Sequence, residues 1–140
     1  MTPPDEFGRT PLHYAAAEAD LAAVQRLSNT EDINATDNNG WTALHFAAQA
    51  AAPDVIAYLL DAGADIDAVT AKGHPAIYWA TKAASGDPVA AIRLLRARGA
   101  DPTKETIHTY FGPRSTLYTV QQVSNKPHIR AEFADLIDDE

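Results

Sequence analysis

Three glycines, Gly8, Gly40 and Gly73, stand 32 and 33 residues apart, and each opens the same short phrase. Thr10-Pro11-Leu12-His13-Tyr14-Ala15 aligns with Thr42-Ala43-Leu44-His45-Phe46-Ala47 and with Pro75-Ala76-Ile77-Tyr78-Trp79-Ala80. A fixed period of this length restricts the chain to a stack of like units, because one such unit is too small to bury its own apolar face.

A second apolar stretch follows each phrase: Leu21, Val24 and Leu27; Val55, Ile56, Leu59 and Leu60; Val89, Ile92 and Leu95. Spacings of three and four residues place each set on one helical face. Gly63 and Gly99 come next in the second and third units, where a helix stops. At the start of the first helix, the threonine hydroxyl of Thr10 or Thr42 suits an N-cap. Pro11 supplies the right φ where no donor is needed.

The phrases resemble the ankyrin repeat, with its period of about 33 residues and its Thr-Pro-Leu-His-x-Ala signature. Repeat one matches the signature throughout. Repeat two departs by Ala43, and repeat three is degenerate, with Pro75 in the threonine slot and Tyr78 in the histidine slot. Its first helix is therefore expected to start less firmly. The resemblance implies an all-α solenoid of stacked helix-turn-helix units with β-turn fingers. Residues 1–140 then form a single domain, with repeats at about 5–36, 37–69 and 70–103 and a capping repeat over 104–140. In that last unit the expected first helix begins at Ser115-Thr116-Leu117-Tyr118, and the second lies at Ala131–Ile137. Seven extra residues relative to the period fall in a long finger around Thr109–Arg114.

Alanine-rich helical composition suits close packing of this kind. The chain has no cysteine, which removes disulfides, thiolate metal sites and a cysteine nucleophile. No stretch has the apolar length of a membrane span and the amino end lacks a secretory pattern, so a cytoplasmic location is expected. Net charge is −8, and it is uneven: residues 1–70 hold 11 acids and 2 bases, residues 71–140 hold 8 acids and 9 bases. This balance disfavours nucleic acid and anionic membranes and would speed encounter with a basic protein.

His13 and His45 occupy the signature slot, where the resemblance implies structural histidines bonding across turns. His74, His108 and His128 are expected in loops without companion ligands, so no metal is expected. No catalytic or nucleotide-binding pattern occurs, and neither an enzymatic role nor a cofactor is expected. Asp138, Asp139 and Glu140, with Glu132 and Asp135, would solvate the carboxyl end of the stack.

Ankyrin proteins bind other proteins through finger tips and the concave face of the first helices. The matching positions here are Glu6, Phe7 and Arg9; Asn38, Asn39 and Trp41; Ala71, Lys72 and His74. Glu18, Gln49 and Lys82 continue that surface at the helix ends, and Tyr110, Phe111 and Arg114 extend it through the last finger. Trp41, central in the row and in a finger where the fold does not need a large apolar side chain, is the expected anchor. Two functions fit: an immunity- or antitoxin-like inhibitor covering the active surface of a basic effector, and an adaptor that holds a client without altering it. A stack with covered ends has no need to associate, so a monomer is expected.

Overall fold

The computed structural model of the chain describes residues 3–122 and 126–137. Three helix pairs come first: α1 (Pro11–Ala17) with α2 (Leu21–Leu27), α3 (Ala43–Gln49) with α4 (Pro53–Asp61), and α5 (Ala76–Thr81) with α6 (Pro88–Ala97). A two-stranded antiparallel hairpin, β1 (Glu105–Ile107) and β2 (Arg114–Ser115), then leads into α7 (Thr116–Gln122) and α8 (Pro127–Ala131). The first helices stack in the order α1, α3, α5, α7, and the second helices in the order α2, α4, α6, α8.

Helices of five to ten residues are too short to persist alone in water, so their stability must come from this stacking. Leu12, Leu44 and Ile77 recur at one signature position and are each 1% exposed. Behind them, Val55, Ile56, Leu59, Ile92 and Leu95 of the second helices are fully buried. Each large aliphatic side chain so buried contributes about 2 kcal/mol of transfer free energy. The paired alanines Ala15–Ala16 and Ala47–Ala48 are also buried, and their small side chains allow close approach of neighbouring first helices.

The caps follow the threonine pattern. Thr10 and Thr42 accept the backbone N–H of His13 and His45, and the two histidines accept the threonine N–H in return at Nδ1, each at 2.9 Å. In repeat three Pro75 takes the same extended backbone (φ −78°, ψ 167°) but offers no hydroxyl. α5 accordingly begins without a side-chain cap and is the shortest helix of the three pairs. The turns within the pairs differ as well. Ala19 and Ala51 adopt positive φ (57° and 50°) between the paired helices, whereas repeat three has Gly86 at that place, where the left-handed backbone is free of Cβ strain.

Three sequence expectations need correction or limits here. The second helix of the last unit is α8, which starts earlier than Ala131 because Pro127 fixes its first turn; residues 132–136 form successive turns. His128 therefore lies in a helix, not a loop. The expected solvating residues Asp138, Asp139 and Glu140 lie outside the described residues. Glu132 and Asp135 are within it, and rather than only meeting solvent they pair with Arg93 and Arg96 of α6 at 2.8 and 2.7 Å, tying the last unit to the stack.

Candidate partner-binding face

Each finger is built around one residue three positions before its glycine. Asp5 Oδ1 accepts the backbone N–H of Phe7 and Arg9 at 3.0 and 2.9 Å, and Asp37 Oδ1 accepts those of Asn39 and Trp41 at 2.9 Å. In the third finger Thr70 Oγ1 accepts the N–H of His74 at 3.2 Å. The sequence reading passed over Asp5, Asp37 and Thr70, although their spacing matches that of the glycines. The side chain of Asp37 is only 1% exposed, and its charge is met by Arg9, whose Nε lies 3.4 Å from Oδ2.

Neighbouring fingers are stitched by backbone hydrogen bonds that repeat with the period. Asn38 donates to the carbonyl of Phe7, Ala71 to that of Asn39, and His108 to that of Lys72, all at 2.9 Å. The acceptor is each time the residue just before a finger glycine. That close approach explains the glycines: at Gly40 (φ +78°) a Cβ would lie 2.7 Å from the Ala71 nitrogen, and at Gly73 it would collide with the Thr106 carbonyl. The fingers thus form one continuous edge held in register.

The two signature histidines work from beneath. Since Nδ1 accepts an N–H, Nε2 carries the proton, and it donates from His13 to the Ala35 carbonyl at 2.9 Å and from His45 to the Ala68 carbonyl at 3.0 Å. Each thus joins its own cap to the stretch leading into the next finger. Burial pushes the His45 pKa down to about 4, although its hydrogen bond with the Ala68 carbonyl opposes the shift. Neutral imidazole is the form this role requires.

Not every expected contact residue is free. Glu6 is exposed, and its carbonyl accepts Asn38 Nδ2 at 3.0 Å, so the Asn38 side chain serves the joint between fingers. The Arg9 guanidinium lies over the rings of Phe7 and Phe46, 5.2 and 5.3 Å from their centroids. Trp41 departs from the picture of an exposed finger anchor. It is half-buried, stacking on Trp79 at 4.4 Å and on Phe46 at 4.9 Å, because the first helix of the next repeat presents Trp79 directly beside it. Asn39 and Lys72 are exposed, as are Glu18, Gln49 and Lys82 at the carboxyl ends of the first helices, while His74 is half-buried.

Free aromatic surface is found elsewhere along the edge. Phe7 is 50% exposed in the first finger, and Tyr110 and Phe111 are 96% and 81% exposed at the hairpin tip, their rings edge to face at 5.2 Å. Arg114 at the base of that tip lies 4.9 Å over the half-exposed ring of Tyr118. Between the second and third fingers a cleft of about 320 Å³ opens, lined by Asn39, Trp41, Thr70, Lys72, His74 and Trp79 among others. Tyr78, which replaces the signature histidine, stacks on His74 at 4.3 Å and meets Trp79 at 5.0 Å. In the sequence Tyr78 stands out only as the altered signature residue. The substitution of an aromatic for histidine in only one repeat was the available signal.

Among the described residues no group of three His or acidic side chains is placed to hold a metal ion, and no helix is long and apolar enough to cross a membrane.

Comparison with known proteins agrees with this architecture. Residues 2–70 match the family model described as ankyrin repeats (3 copies). The chain is 41% identical over 58 residues to the human NAD-capped RNA hydrolase NUDT12, a stretch covering 40% of this chain and 13% of that protein. It is 40% identical over 63 residues to the 26S proteasome non-ATPase regulatory subunit 10 of Dictyostelium discoideum, covering 44% of this chain and 27% of that one. A third similarity, 39% over 59 residues, is to the mouse protein phosphatase 1 regulatory subunit 27, covering 41% and 38% respectively. The matched stretch is thus well under half the length of each of these relatives.

Proposed function

This chain is an ankyrin-repeat protein, and from that premise we propose that it docks a protein partner along its finger edge and the adjoining face of the first helices. The observation that carries the reading is the placement of Phe7, Tyr110 and Phe111 as exposed aromatic side chains on one hydrogen-bonded edge. Exposed rings cost solvation, and rings held on a rigid frame lose little entropy on binding, which is how interface anchors reach high affinity.

The finer reading is an inhibitor, of the immunity or antitoxin kind, that covers the working surface of a basic effector. It is supported by the net charge of −8 and by the concentration of acids in the first 70 residues, which would steer a basic protein to this edge. In this reading the chain acts as a cytoplasmic monomer. The regulatory subunits among its relatives favour the second reading, an adaptor that positions a client. The two differ in whether the bound protein keeps its activity.

The experiment is capture of partners from native extract by the wild-type chain and by the Phe7→Ala, Tyr110→Ala, Phe111→Ala variant, with mass spectrometry. A protein retained by wild type and lost by the variant is the expected result, with affinity weakened by at least ~2 kcal/mol, the scale of an interface hot spot. Equal capture by a folded variant overturns this face. Assay of the captured protein with and without the chain then separates inhibitor from adaptor, and association that slows as salt rises supports a basic partner.

A further inference from the structure

The chain is acidic, yet its finger cleft is cationic. Five of its eleven lysines and arginines are neutralised by ion pairs: Arg9 by Asp37, Arg93 by Glu132, Arg96 by Asp135, Arg98 by Asp61 and Lys104 by Asp67. Lys72 and Lys82 make no ion pair among the described residues, and both flank the same half-buried imidazole. Lys72 lines the cleft at Trp41 and Trp79, and Lys82 Nζ stands 5.5 Å from the ring of Tyr78, which stacks on His74. The pKa of His74 is held down first by burial and then by the charges of Lys72, His108 and Lys82. No acid lines the cleft.

Its floor is aromatic. Trp41 and Trp79 stack at 4.4 Å, and the Trp79 indole N–H is buried without an acceptor. The unpaired ammonium group of Lys72 in the lining, with that of Lys82 beside it over Tyr78, and the apolar floor are complementary to a carboxylate carried on an apolar stem.

We propose that this cleft receives an acidic segment of a protein partner, with an Asp or Glu carboxylate set against Lys72 and Lys82 above the Trp41–Trp79 floor. The inference rests on the reading of the chain as a protein-docking module and specifies the chemistry of one part of the contact. It also sharpens the charge argument. A partner drawn in by the acidic first repeats is basic overall, and the cleft then requires that it carry a local acidic loop.

The two tryptophans are the only ones in the chain and both line the cleft, so their fluorescence reports its occupation. A random dodecapeptide display library is panned on the wild-type chain and on the Lys72→Gln, Lys82→Gln variant, whose fold is checked by circular dichroism. The expected peptides are enriched in Asp and Glu over the unselected library. Synthesised, they change the tryptophan emission and bind the variant at least about ten-fold more weakly, as loss of charge-assisted contacts requires. Acidic peptides that bind both proteins equally, or peptides without acid enrichment, overturn the cleft proposal and leave the docking reading standing. Failure to enrich any peptide counts against both. An oligothymidylate that shifts the emission at concentrations where the peptides do not would assign the lysines to phosphate and overturn the acidic-peptide proposal.

Discussion

Repeats two and three occupy adjacent places in the stack and use the same signature positions for different ends. In repeat two Thr42 and His45 are 3% and 1% exposed and lock together as a reciprocal cap, with His45 also holding the Ala68 carbonyl. In repeat three the same two slots hold Pro75 and Tyr78. The cap is gone, α5 is shorter, and the imidazole's place is taken by a phenol that turns toward His74 and Trp79. The contrast teaches that the signature histidine is a structural device, and that a repeat relieved of it can build a ligand-sized cleft where its neighbour builds a joint.

The largest way to break the comparison is acid. His45 falls from its ordinary 6.5 to about 4 in the fold, so the native state disfavours its protonation. Its contribution is fully present above about pH 6.5 and is lost as pH falls from there through about 4, amounting to roughly 3 kcal/mol. Urea unfolding at pH 7 and pH 4.5 should show this loss, and a His45→Gln variant should lack most of the difference. Equal pH dependence in wild type and variant would show that His45 does not carry the linkage.

A smaller effect is expected at the cap itself. Thr42→Ala removes the hydroxyl that accepts the His45 N–H and sits 3.0 Å from its Nδ1, and should cost about 1–2 kcal/mol in the same unfolding assay. Pro75→Ala, by contrast, removes no cap hydrogen bond, and a loss as large as that of Thr42→Ala would erase the distinction between the repeats.

The smallest effect is a gain. Pro75 already has the backbone angles of Thr10 and Thr42, so Pro75→Thr with Tyr78→His should install the missing cap without strain and stabilise the chain by about 1 kcal/mol. The same pair of changes removes an aromatic wall beside the cleft. Stability should therefore rise while affinity for an acidic peptide falls; a rise in both would detach the cleft from Tyr78.

Much of the fold was legible because the repeat is written in local chemistry. Thr10 before Pro11, glycine at Gly63 and Gly99, and aliphatic residues at three- and four-residue spacing each act over a few bonds, and their outcome scarcely depends on what lies far away. The start of α8 was misjudged because residues 131–137 have an apolar pattern that fits a helix, while Pro127 sets the first turn several residues sooner. The β1–β2 hairpin was legible only as surplus length.

The candidate face was legible to a lesser degree. Phe7, Tyr110 and Phe111 were named from the sequence and are exposed, and Lys72 and His74 were named and line a cleft. Trp41 was read as a free anchor because its finger position says nothing of Trp79, which meets it only once the repeats are stacked. Asp37 was passed over for a related reason: an acid in a turn is ordinary, and only the folded chain sets it against Arg9 and buries it.

By itself, the sequence determined that this chain repeats, where most helices begin and end, and that the signature histidines are structural, since caps, turns and helical faces are decided within a few residues. Only the tertiary structure decided which aromatic rings are covered, which lysines are left without a carboxylate and where a cleft opens. Those properties belong to side chains from different repeats, and packing between repeats, which local patterns do not encode, sets how they meet.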